Sequence, residues 1–373
     1  METVFISCGE TSGDRYAAEI IRACESLNQV SFIGNGGHHF EEAGGTLLHN
    51  VVKKSTIGFI EPLFKIPFFL RVLNHTKAVI KKKKIKTVII IDHQGFNIPL
   101  AKWCKANNIR VISFIAPQFW MWGQQKQAQK FVSYCDQIVC IFKKEYEYYK
   151  AINPTKVIHV DHPLISALPT KEKRATKVIG LFPGSRVQEI KYCLPIMLNV
   201  VKEVTSLNDG YSFKLAVASK EMEPLINSQL TDATIELVRD SRQLISESYV
   251  SLVASGTVSL EHAIIGTPCI VMYKFSKLSY FIAAMIVLKK LKENCYGFMA
   301  LPNILSKKEV CPEFLQDKAN PSAILKALEK ILRNKTDYLE MVERFKLIQS
   351  TLIANSNPFD EIKKIITRQS FNK

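Results

Sequence analysis

The stretch from Leu252 to Met272 limits what this chain can fold into more than any other. An apolar run, Leu252-Val253-Ala254-Ser255, stops at Gly256-Thr257; VSLEHAIIG then carries helical periodicity to Gly266, Thr267-Pro268 punctuates it, and CIVM opens another buried run. This is the βαβ grammar of a parallel sheet covered by helices. Ligands of such sheets bind beyond the carboxyl ends of the strands, where the N–H groups of Ser255, Gly256 and Thr257 would face an anion, aided by the helix dipole. Glu261, one turn into the helix, is within reach of sugar hydroxyls beyond the phosphates, although an ordinary helix cap with an exposed glutamate would read the same way.

A second glycine turn, LFPGSR (Leu181 to Arg186), follows the strand-like KVIGLF and precedes the amphipathic EIKYCLPIMLNVVKEV. Gly184 and Ser185 shape the turn, and Arg186 brings a permanent charge able to hold two phosphate oxygens at once. Two such turns in one α/β half suggest a single diphosphate clamped between them. Pro183-Gly184-Ser185-Arg186 lacks the GxxxxGK[ST] frame and its magnesium ligand. A nucleotide held in this manner is better read as a leaving group than as a phosphoryl donor, which points to nucleotide-sugar chemistry.

With 373 residues the chain suits two domains. The first half reads as strands TVFISC, VSFIG, TVIIID, RVISFIA, QIVCIF and KVIHV, the second as KVIGLF, FKLAVA, TIELV, SLVA and CIVMY. The expected fold is α/β, two doubly wound Rossmann-like domains facing across a cleft. The first would span residues 1–170, with a C-terminal helix from about 355 to 373 packing back on it, and the second residues 171–354, with the linker in the charged stretch Lys171 to Lys177.

The net charge of +16 owes much to lysine, including the run Lys81 to Lys84. Just before it, EPLFKIPFFLRVLNH (Glu61 to His75) sets Phe68, Phe69 and other apolar residues between Lys65 and Arg71. Apolar bulk beside cations describes an element lying on an anionic membrane, while a lysine run by itself usually marks a solvated helix end. Tyr280 to Leu288, flanked by lysines, is too short to span a bilayer but suits an interface. Nucleic-acid-binding signatures are absent. METVFISCGE has no basic n-region, so no signal peptide is expected. Nine cysteines without CxxC spacing suggest free thiols in a reducing cytosol, and eight histidines form no metal-binding pattern, so neither metal nor cofactor is expected.

Seven segments now resemble a known family: CGETSGD (Cys8 to Asp14), IDHQGFN (Ile91 to Asn97), PQFWMW (Pro117 to Trp122), DHPL (Asp161 to Leu164), LFPGSRVQEI (Leu181 to Ile190), ASGTVSLEHAIIGTP (Ala254 to Pro268) and LPNIL (Leu301 to Leu305). Their order is similar to that of the lipid-A-disaccharide synthases. The resemblance implies a GT-B glycosyltransferase at the cytoplasmic face of the inner membrane. Such an enzyme joins UDP-2,3-diacylglucosamine to 2,3-diacylglucosamine 1-phosphate through a β-1,6 bond and releases UDP. It further implies that Arg186, Ser255, Gly256 and Thr257 serve the diphosphate, that Glu261 serves the ribose and that Asn303 lines the same cleft. Gly9, Glu10, Ser12, Gly13 and Asp14, with Asn97, would shape the acceptor side. Partners would be the two lipid substrates, an anionic membrane surface and a possible second copy, with no nucleic acid.

The family's strand-end motif reads Asp-x-x-Asp-Phe-Asn, with its second aspartate the favoured base. Here it is Asp92-His93-Gln94-Gly95-Phe96-Asn97, and Gly95 has no proton acceptor. Asp161 stands where the family has glycine, and Gly123 where arginine commonly follows the tryptophans. Asp92 or His93, with Glu10 nearby in the motif set and Asp161 as a compensating carboxylate, is one answer. A less important base or a different acceptor is a second, and a non-catalytic homologue binding nucleotide or lipid is a third. Trp120 and Trp122 would share a side if extended and stack on sugar or lipid, with core packing as the alternative. His162 either meets the nucleotide or is structural, and Lys126 and Lys130 either replace the missing arginine's charge or are solvated. A UDP-sugar epimerase of similar fold is the enzymatic rival. A dehydrogenase is disfavoured because Gly9 to Gly13 does not give GxGxxG.

Overall fold

The computed structural model describes residues 2–27, 30–52, 66–122, 124–169, 177–206, 210–230, 234–274 and 293–368. Glu61 to Lys65, most of the linker stretch, Gly123 and Tyr280 to Leu288 lie outside the described residues. The chain divides into two compact units, Met1–Pro163 with Thr351–Lys373, and Leu164–Ser350.

The first unit is built on β1 (Glu2–Cys8), β2 (Val30–Gly36), β3 (Thr46–Asn50), β4 (Thr87–Ile91), β5 (Arg110–Phe114), β6 (Gln137–Cys140) and β7 (Val157–His159). They form one parallel sheet in the order β3-β2-β1-β4-β5-β6-β7. The second unit carries β8 (Val178–Phe182), β9 (Ser212–Ala216), β10 (Glu236–Val238), β11 (Val250–Ala254), β12 (Cys269–Tyr273) and β13 (Glu313–Leu315), parallel in the order β10-β9-β8-β11-β12-β13. Both are doubly wound. β4, β11 and β12 are buried along their whole length because helices cover both faces, which is why they read as unbroken apolar runs rather than alternating ones. The strand order reverses between β1 and β4 in one sheet and between β8 and β11 in the other. Crevices at such reversals are where doubly wound folds bind ligands.

Two strands escaped the sequence reading, β3 and β13. Both lie at sheet edges; β3 (TLLHN) is only partly buried and β13 is three residues long. The helix Pro358–Thr367 belongs to the first unit, where Phe359 meets Phe114 edge-on at 6.1 Å and Arg110 donates to the Ile365 carbonyl at 3.0 Å. Asp161 is part of this return of the chain. Its Oδ1 accepts from Ala354 N–H at 2.5 Å, and its own N–H donates to Ser356 O at 2.9 Å. It is therefore a brace for residues 354–356 and not a compensating carboxylate, standing after β7, three strands from β4.

The helix Ile66–Lys82 buries Val72, Leu73, Thr76 and Ile80. Phe68 and Phe69 are half-buried against the first unit's core; the large apolar side chains this helix exposes are Ile66 (47%) and Leu70 (53%). Among the described residues no helix is long and apolar enough to cross a membrane. All nine cysteines are buried free thiols.

Candidate functional site

At the reversal in the first sheet, Glu10 follows β1 and Asp92-His93 follows β4. Asp92 and His93 both adopt left-handed backbone, each at φ 47°, a conformation that non-glycine residues seldom take. Asn97 holds them there. Its Nδ2 donates to the carbonyls of Asp92 (2.8 Å), Ile91 (3.2 Å) and Ser7 (3.2 Å), and its Oδ1 accepts from Ser7 Oγ at 2.7 Å. Asn97 thus stitches the ends of β1 and β4 together and is buried.

Asp92 is half-buried, and burial first, then the Glu10 carboxylate, pushes its pKa up to about 6, a hydrogen bond from the His93 backbone opposing them. Burial lowers the His93 imidazole below its ordinary value, with Glu10 opposing. The ring stacks on Phe96 at 5.9 Å, meets Phe69 edge-on at 5.4 Å, and lies so close over Gly9 that a Cβ there would come within 2.1 Å of Nδ1. Gly9 is thus the residue that lets the imidazole down onto the end of β1. Gly95 is exposed, and a Cβ added to it would meet nothing within 4 Å. It borders a hollow of about 280 Å³ lined also by Gln94, Ile98, Phe119, Gln124 and Gln127.

Among the other residues assigned to the acceptor side, Asp14 serves the scaffold. Asp14 is buried and caps the helix His38–Glu42, accepting from the N–H groups of Gly37 (2.7 Å), His39 (3.0 Å) and Phe40 (3.2 Å). Gly13 is buried against Cys8 and Ile91, and Ser12 is half-buried on the same turn. Trp120 is core, packed near Phe142 with the Lys144 ammonium 5.1 Å from its ring centre. It sits with Trp122 in the short helix Phe119–Trp122, so the extended geometry that would align the two does not arise; the Trp122 side chain lies outside what is described. His162 is buried beside Phe142, its pKa driven down to about 3 by burial. Lys126 and Lys130 are exposed.

In the second unit, Pro183 to Arg186 leave β8 and enter the helix Val187–Ser206, with Gly184 at φ 104°. Glu189 lies in the LFPGSRVQEI motif, and its residue type alone assigns it no role. Here it is buried in the loop, accepting from Arg186 Nη1 at 2.8 Å and from Ser185 N–H at 2.9 Å. An acid in the first turn of a helix is the signal that would have found it. Beyond β11, the Ser255 N–H donates to Met272 O at 2.9 Å. That amide belongs to the sheet ladder, which corrects its place among the anion donors. Gly256 and Thr257 are exposed at the head of the helix Thr257–Ile265. Glu261 is largely buried, with Arg242 Nε at 3.6 Å.

Asn303 is fully buried and spends its side chain on its own surroundings. Oδ1 accepts from the N–H groups of Val310 (2.7 Å) and Cys311 (3.0 Å), and Nδ2 donates to Cys311 O and Glu313 Oε2, both at 3.0 Å. It holds the approach to β13. Among the described residues no group of three or more His, Cys, Asp or Glu is arranged to hold a metal ion.

Residues 4–366 match the lipid-A-disaccharide synthetase family. A lipid-A-disaccharide synthase of Persephonella marina is 29% identical over 386 aligned positions, covering 98% of this chain and 95% of that protein. Among solved structures, the UDP-GlcNAc 2-epimerase of Neisseria meningitidis bound to UDP-GlcNAc superposes with a TM-score of 0.60 at 12% identity, covering 100% of both chains. The kitacinnamycin glycotransferase does so at 0.62 and 12%, covering 99% of this chain and 98% of its own. The two structures place the fold in the GT-B class.

Proposed function

The chain belongs to the lipid-A-disaccharide synthetase family, and on that premise we propose that it is an inverting glycosyltransferase that joins UDP-2,3-diacylglucosamine to 2,3-diacylglucosamine 1-phosphate through a β-1,6 bond. The observation that carries this reading is Asp92, a carboxylate at the switch point of the first sheet with its pKa near 6. A general base works best with a pKa close to the working pH, and Asp92 supplies one beside a Gly95 that supplies none.

In the proposed step Asp92 takes the proton of the acceptor 6-hydroxyl as that oxygen attacks the anomeric carbon of the donor. The bond from that carbon to the diphosphate breaks and its electron pair leaves with UDP. Arg186 and the exposed head of the Thr257–Ile265 helix, Gly256 and Thr257, stabilise the departing charge, and Glu261 is assigned the ribose. Burial lowers the His93 imidazole, and His93 shares the left-handed turn on which Asp92 sits. Ile66 and Leu70, next to Arg71, are assigned to the cytoplasmic membrane surface where acylated substrates reside.

The test is UDP release from UDP-2,3-diacylglucosamine by detergent-solubilised protein, with and without the acceptor. Release should depend on acceptor, fall about 10²–10⁴-fold in Asp92→Asn and be lost in Arg186→Ala. Its rate should rise with pH through about 6, since only ionised Asp92 accepts a proton. The bare Gly95 and its hollow favour a second reading, a homologue with another acceptor or no turnover. UDP binding without release from this pair of substrates would select it.

A further inference from the structure

We propose that Glu189 is a positioning residue for Arg186, holding the guanidinium in place before a diphosphate arrives. This rests on the assignment of Arg186 to the leaving diphosphate. Glu189 is 4% exposed, and its two oxygens are used separately, one by Arg186 Nη1 at 2.8 Å and the other by the Ser185 N–H at 2.9 Å. Gly184 makes room for it: a Cβ there would lie 2.3 Å from Glu189 Oε2. Three successive loop residues are shaped around one carboxylate. The Arg186 side chain stays 25% exposed.

A long side chain fixed before its ligand arrives loses less rotamer freedom on binding. Glu189 is rooted in the first turn of a 20-residue helix, so it stays where it is as phosphate approaches, and Arg186 meets the anion while still braced. The carboxylate also places negative charge near the incoming diphosphate. A guanidinium that hydrogen-bonds directly to each anion would offset that repulsion.

A helix-closing role alone would act through Ser185 and ignore Arg186. The double variant separates the two roles: Glu189→Gln removes the charge and leaves one acceptor oxygen for two donors, so a loss that acts through Arg186 disappears once Arg186 is alanine, whereas a loss that acts through Ser185 does not. UDP affinity would be measured by calorimetry on the full chain for wild type, Glu189→Gln, Arg186→Ala and the double variant, alongside their thermal unfolding midpoints. The expected result is about tenfold weaker UDP binding in Glu189→Gln and almost no further loss when the same change is made in Arg186→Ala. Equal losses in both backgrounds, or wild-type affinity in Glu189→Gln, would overturn the positioning role and leave the diphosphate assignment standing. Failure of the wild type to bind UDP would overturn both.

Discussion

Asp92 is unusual for a strand-end aspartate because two pressures act on it together. The left-handed turn, pinned by Asn97, keeps it partly out of water, and Glu10 supplies a like charge. Both favour the protonated acid. Gly95 tests this electrostatic account directly. A side chain at this position meets nothing within 4 Å, so Gly95→Asp should fold normally and bring a second carboxylate to the same turn. Like charge disfavours ionisation, so the acid limb of the kcat/KM profile should move to higher pH in Gly95→Asp and to lower pH in Glu10→Gln. A limb that stays put in both variants would mean that Asp92 is not the titrating group. At this scale the sequence shows residue types but not the direction of side chains. Asp14, Asn97 and Asn303 carry the functional groups of ligand-binding residues, yet each satisfies buried backbone groups at a turn, a need that every strand-end turn has.

Elements were easier to read than side chains, because apolar periodicity reports burial and burial is what a doubly wound sheet imposes on its strands. β3 and β13 were missed since an edge strand needs only one buried flank, and three to five mixed residues carry too little pattern. The helix Ile66–Lys82 shows the same limit in another form. Its sequence suggested one patch of apolar bulk and lysine, but Phe68 and Phe69 turn toward the core. Ile66 and Leu70 share a face at i,i+4, while Lys82 lies roughly 18 Å further along the axis from Leu70 at 1.5 Å per residue. Docking would therefore be led by the amino-terminal end of this helix, with Arg71 the cation beside it. Replacing Ile66 and Leu70 by glutamate should weaken sedimentation with phosphatidylglycerol vesicles at least about tenfold, given roughly 1.5–3 kcal/mol for each large apolar side chain buried. The exposed positions predict an unchanged far-ultraviolet spectrum and unfolding midpoint. Undiminished vesicle binding by a folded double variant would remove this helix from the membrane-facing surface.

For the molecule as a whole, the buried acids make stability depend on pH in a direction opposite to that of ordinary surface carboxylates. Burial pushes Asp92 up to about 6, Glu145 up to about 8, and Glu313 upward as well. A group with a raised folded-state pKa contributes stability that is complete below its unfolded pKa and is lost as pH rises through the folded value. His162 works with the other sign: held neutral with a pKa near 3, it contributes above its unfolded value and loses that contribution as pH falls. Glu145 is the cleanest probe, since it is fully buried and accepts from the Ile141 N–H at 3.0 Å, with burial the chief cause of its raised pKa and the Asp92 carboxylate a lesser one. Glu145→Gln keeps that acceptor and removes the titration. Relative to this variant the wild type should lose stability steadily between pH 4.5 and 8, at up to about 1.4 kcal/mol per pH unit, and the difference should level off above that range. Chemical denaturation of both proteins at pH 5, 7 and 9 would measure it. Parallel curves at all three values would mean that Glu145 ionises in the native state as readily as in the unfolded chain, and that the first unit admits water to the base of β6 where the fold buries the carboxyl.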